Sequence, residues 1–149
     1  MAEKSIRQKL VEAVDARLKT ILTTGGYETN IGANVFWWRA RLDPNSLPAI
    51  ACRDRQHQEV ATAGAWRRTL MIDMEIYLAP ASAPDTVMRQ ALADIETAIG
   101  SDVTFGGLAE DTQYIEGEHM SLDDHENVIV ASGFFVAIEY TTEPWNPRA

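Results

Sequence analysis

At 149 residues the chain has the common length of one domain, enough to bury a sizeable core without a disulfide or structural metal. Hydrophobic residues at 46% and charged residues at 23% exclude a largely disordered chain. A formal charge of −9, from 13 Lys+Arg against 22 Asp+Glu, argues against a general nucleic-acid binder. The lone Cys52, the lack of a long apolar run and the polar start Met1-Ala2-Glu3-Lys4-Ser5 point to a reducing cytoplasm, with no signal peptide and no membrane span.

Ser5 to Leu22 reads as an amphipathic helix: Ile6, Leu10, Val14, Leu18 and Ile21 form one stripe, Ser5 is an N-cap, and Gly25-Gly26 closes the helix. Asn34 to Leu42, rich in β-branched and aromatic residues, reads as a strand. Asp43-Pro44-Asn45-Ser46 is turn chemistry and Pro48 to Asp54 a second strand, so the two read as a hairpin. Gln56 to Ala65 has no periodicity and reads as an exposed, mobile loop.

Trp66 to Leu78 carries the clearest strand pattern. Leu70, Ile72, Met74, Ile76 and Leu78 occupy the even positions, while Arg67, Thr69, Asp73, Glu75 and Tyr77 take odd ones. Ser82-Ala83-Pro84-Asp85 starts a second helix with Ser82 as N-cap; Met88, Leu92, Ile95 and Ile99 repeat along it and Gly100 ends it. Thr112 to Glu118 is a weaker strand, followed by an acidic turn from Leu122 to Asn127. Val128 to Thr142 is a long last strand in which Gly133 suggests a bulge. The Pro-containing tail 143–149 should peel away from the sheet. The expected architecture is a single α+β domain over 1–149: a mixed or antiparallel sheet of about five strands covered on one face by two helices, in the order α-β-β-β-α-β-β.

The search for chemistry is short. No GxxxxGK[ST], GxGxxG or GxSxG pattern occurs, so no cofactor and no catalytic residue is expected. His119, Asp123 and His125 could contribute to a Zn or Mn site, which gives the alternative reading of a small-ligand or metal-binding domain. Their spacing fits no helical zinc motif, and a hairpin tip is an ordinary home for such residues. Cys52, in a strand and paired with no base, reads as a small buried hydrophobe. Adjacent Trp37 and Trp38 should point to opposite faces, leaving at least one for an interface or for packing under a loop or the tail. Arg39, Arg41, Arg53, Arg55, Arg67 and Arg68 cluster in the chain, and carboxylates are densest from Glu110 to Glu126. Head-to-tail contact between copies suits that asymmetry, as does a pair of merely solvated faces. The candidate interface residues are Trp37, Trp38, Arg55, His57, Arg67, Asp73, Glu75, Asp123, Asp124 and Trp145.

Several segments together carry a family resemblance. They are Ile6-Arg7-Gln8-Lys9-Leu10 through Leu18-Lys19-Thr20-Ile21, then Tyr27, Gly32-Ala33-Asn34-Val35, Leu47-Pro48-Ala49-Ile50 and Arg68 through Ile76. Thr86-Val87-Met88, Ala91 through Glu96, and Ile138-Glu139-Tyr140-Thr141-Thr142 complete the set. This order resembles the small tail terminator, tail completion and neck proteins of long-tailed phages and prophages. The Trp37-Trp38 pair departs from that pattern. The resemblance implies a non-enzymatic subunit without cofactor, made in the host bacterial cytoplasm and located in the virion. It would form a homo-oligomeric ring, commonly a hexamer, on the head-proximal end of the tail. There it would contact the phage tail tube protein and head–tail connector proteins, with no membrane and no direct nucleic-acid contact.

Overall fold

The computed structural model describes residues 3–60, 64–123 and 129–149, with Val60, Glu116, Gly117 and Asp123 described by backbone alone. Helix α1 spans Ile6–Leu18, followed by strands β1 (Val35–Trp37), β2 (Ala49–Val60) and β3 (Trp66–Leu78), helix α2 (Pro84–Gly100), and strands β4 (Asp111–Asp123) and β5 (Ile129–Thr142). The α+β class and the expected element order are both present. The strands form one five-stranded sheet in the order β1-β2-β3-β5-β4. All neighbours are antiparallel except β1 and β2, which run parallel.

The alternation along β3 has the consequence its sequence implies. Leu70, Ile72, Met74, Ile76 and Leu78 are buried with Ile50, Cys52, Val130, Phe134, Val136, Ile138 and Tyr140 on the face that both helices cover. From α1 the core takes Leu10, Val14 and Leu18, and Ile21 beyond its end; from α2 it takes Met88, Ala91, Ile95, Ala98 and Ile99. Arg17 ties the helices together by donating to the Ala98, Ile99 and Asp102 carbonyls at the C-terminus of α2, where carbonyls lack intrahelical partners.

The structure corrects several expectations. The segment before β2 is no hairpin: Trp38 takes φ 58, β1 stops at Trp37, and the chain crosses over to run parallel to β2. Residues 56–60 are not a loop but the end of β2, with Gln56 paired to Leu70 and Glu59 to Arg67. Their polarity hid the strand, because Asp54, Gln56 and Gln58 occupy the positions where an alternating pattern would show apolar residues. Helix α1 ends at Leu18, short of Leu22, and Gly26 at φ 91 caps a following short 3₁₀ turn instead. The N-cap of α2 is Ala83 at φ 50, not Ser82. β5 passes Gly133 in unbroken register with β3, and the irregularity falls in β4, between Ile115 and His119. A Cβ on Gly133 would lie 3.0 Å from His119 Cε1, so the glycine makes room for the imidazole across the strands. As expected, the tail leaves the sheet after Thr142, and it then docks on the start of the chain: Pro147 O accepts from the Ile6 N–H at 2.8 Å, and Arg148 Nε donates to Glu3 O. The acidic turn from Asp124 to Asn127 lies outside the described residues.

Candidate interaction surface

Odd-numbered positions of β2 to β5, with Phe36 of β1, form the second face of the sheet, which no helix covers among the described residues. Reading across, Arg55, Met71, Ala137 and Gln113 make one row; Arg53, Asp73, Phe135 and Ile115 make the next. A further row holds Ala51, Glu75, Gly133 and His119. The alternation puts Arg67, Thr69, Asp73, Glu75 and Glu139 on this face, as read from the sequence. Arg55 lies over the Phe135 ring at 5.5 Å and Arg39 over Phe36 at 3.9 Å, so aromatic surface is roofed by guanidinium groups.

The crossover between β1 and β2 runs along this face and encloses a groove of about 420 Å³. Arg39, Arg41 and Arg53 face Asp73, Glu75 and Tyr77 across it. Burial, and then the neighbouring Glu75, push the Asp73 carboxyl above its ordinary range, with Arg53, Arg55 and His119 pulling the other way. The Tyr77 hydroxyl, which donates to Glu75, is pushed up to about 12 by burial and by that carboxylate. The groove therefore carries both signs of charge on its lining.

The candidate residues separate into distinct places. Trp37 is half-buried against the core, its Nε1 donating to Asp15 at 3.0 Å. Trp38 is 62% exposed and donates to Asp54 Oδ1 at 2.7 Å, while Arg7 from α1 holds the other carboxylate oxygen. The tryptophan pair thus splits into one inward and one outward ring. Arg55, His57 and Arg67 are exposed along β2 and β3, with His57 Nε2 3.7 Å from Glu59. Trp145 is 86% exposed and meets Trp66 edge-on at 4.7 Å, at the far end of the sheet from the groove. The arginine cluster is divided: Arg68 is buried on the helix side, donating to Thr142 Oγ1. Cys52 is buried, and desolvation, followed by Asp15, Asp73 and Asp54, raises its thiol far above the ordinary range.

Of the metal candidates, His119 sits on β4 over Gly133, whereas the Asp123 side chain, His125 and the interface candidate Asp124 lie outside the described residues. Among the described residues no three His, Cys, Asp or Glu side chains are grouped to hold a metal ion, and no helix is long and apolar enough to cross a membrane. Features that sequence reading missed are the groove and the exposed Tyr114, Met120 and Leu122 on β4. The first depends on the crossover path, and the second on β4 lying at the sheet edge. No protein-family model matches the chain, and no curated protein is similar to it.

Proposed function

We propose that this chain is a structural assembly subunit of a long-tailed phage or prophage. It is a tail terminator, or a neighbouring head–tail connector, that caps the head-proximal end of the tail tube, ends elongation and offers the head-attachment surface. In this reading it acts as a homo-oligomeric ring, commonly hexameric, with the tail tube protein and connector proteins as partners. The observation that supports the reading is the sheet itself: two helices cover one face, while the other carries only the β1–β2 crossover among the described residues and leaves β4 and the end of β2 as edges. The order α-β-β-β-α-β-β agrees with what the family resemblance implies. The test is the mass of the purified protein by light scattering across concentration and salt, with and without tail tubes. A discrete ring, alone or templated on tube ends seen by electron microscopy, is expected. A strict monomer at every concentration, with no binding to tubes, overturns the proposal.

A further inference from the structure

We infer that neighbouring copies join by sheet extension: the free edge of β2, residues 54–58, pairs antiparallel with residues 110–114 of the next copy's β4. The inference rests on the ring reading and names the junction within it.

The geometry begins with backbone parity. Ile50 donates its N–H to Asn34 O, and Cys52 O accepts from the Trp38 N–H, so even residues of β2 point their backbone groups away from β3. β1 covers that edge only as far as Cys52. By the two-residue period of a strand, Asp54, Gln56 and Gln58 present N–H and C=O groups on the same side, with no strand beside them among the described residues. β4 is the opposite edge of the same sheet and is unpaired on its outer side. Successive antiparallel pairings from β2 through β3 and β5 make β4 antiparallel to β2. A copy set alongside in the same orientation therefore continues the sheet with the ladder type it already uses.

The rows also agree in level. Gln56 pairs with Leu70, Leu70 with Ile138 and Ile138 with Thr112; Asp54 leads likewise through Ile72 and Val136 to Tyr114. The free part of β2 thus lies at the height of the regular half of β4, and because β1 flanks β2 at residues 50–52, the neighbour's β4 must splay outward past its bulge. At that level Arg55 faces Gln113 and His57 faces Asp111, with Glu110 next in line, so the one arginine of the free segment lies near the carboxylates that open β4. A second, independent feature falls in the same place. Trp38 is held beside Asp54 by its indole hydrogen bond, and Tyr114, 48% exposed, is the residue level with Asp54. Two exposed aromatics at opposite edges of one copy would cover each other between two copies. The occupant is a second copy of this chain.

The test introduces Arg55→Cys together with Gln113→Cys. Within one copy these positions are three strand spacings apart, roughly 14 Å, beyond the ~7 Å limit for a disulfide, and buried Cys52 does not compete. Oxidation should give a non-reducing gel ladder ending at the ring mass found by light scattering. Gln58→Pro, which removes an outward N–H without touching the β3 ladder, should move assembly to at least about tenfold higher concentration while the thermal melt shows a folded chain. A ring that gives no ladder and tolerates Gln58→Pro overturns the junction and leaves the ring reading standing. A protein that is monomeric throughout, with tubes present, overturns both.

Discussion

Asp94 is the carboxylate whose removal the structure makes most informative. It lies on α2, 6% exposed, and accepts from the Glu28 N–H at 3.2 Å, the Thr29 N–H at 2.8 Å and the Thr29 hydroxyl at 2.6 Å. These bonds fasten the connection between α1 and β1 to the second helix. Hydrogen bonds to a charged acceptor contribute about 1.5–3 kcal/mol each, but an orphaned donor in a surface-lying loop recovers part of that from water. Asp94→Ala should therefore cost about 3 kcal/mol. Asp94→Asn, which keeps one carbonyl acceptor in place, should cost about 1.5 kcal/mol. For a chain of this size each kcal/mol moves the melting point by about 2–4 °C, so the alanine variant should melt roughly 6–12 °C lower. The assay is urea unfolding followed by far-UV circular dichroism, with an unchanged slope and a lower midpoint. An alanine variant within about 0.5 kcal/mol of the parent would refute the assignment of this loop to Asp94.

Other outcomes follow from single positions. Cys52 should stay unreactive toward a thiol reagent in the native protein and react at the rate of unfolding, because it is buried and its thiolate is strongly disfavoured; fast native labelling counts against this. Gly32→Ala would place a Cβ 2.1 Å from Leu18 O and 2.9 Å from Ile21 O, both backbone atoms, so it should lower stability by at least about 3 kcal/mol in a denaturant melt. Asp73 has a folded-state value raised by burial and by Glu75, so its ionisation disfavours folding above that value and has no effect below the unfolded one. Asp73→Asn should accordingly raise the melting temperature at neutral pH, with the gain fading as pH falls through the carboxylate range. A gain that grew in acid would contradict the sign.

Much of the fold was legible because one signal dominated each element. Along β3 the neighbours on both sides bury the same face, so the period of two was clean; along α1 the stripe ending in Ile21 needed no partner to be recognised. The alternation fades after Asp54 because Asp54, Gln56 and Gln58 occupy helix-side positions near the sheet edge, Asp54 bonded to Arg7 and Trp38 and Gln56 to Tyr140. The parallel pairing of β1 was invisible because it depends on Trp38 adopting a left-handed backbone, for which tryptophan gives no local signal. The surface was less legible still. Chain proximity grouped Arg67 with Arg68, yet the strand period sends them to opposite faces and buries one. That 54–58 lies level with 110–114 depends on β5 inserting between β3 and β4, a long-range fact that no local pattern carries.

The two edges used by the proposed junction differ, and that difference bears on the kind of assembly it would make. A β2–β2 pairing centred on Gln56 would set Arg55 against His57 and Arg53 against Glu59, and a β4–β4 pairing centred on Thr112 would set Asp111 against Gln113. Charge alone does not choose among these junctions; the common level of 54–58 and 110–114 is what favours the mixed junction proposed above. A mixed junction leaves one unused edge at each end of any short oligomer. It is satisfied only by closing on itself or by continuing without limit. The Ile115/His119 irregularity in β4 restricts regular pairing to its first half, and β1 restricts β2 to its second. Under the proposed junction each copy would offer one short edge on either side, which would limit runaway strand addition while leaving one orientation for a neighbour.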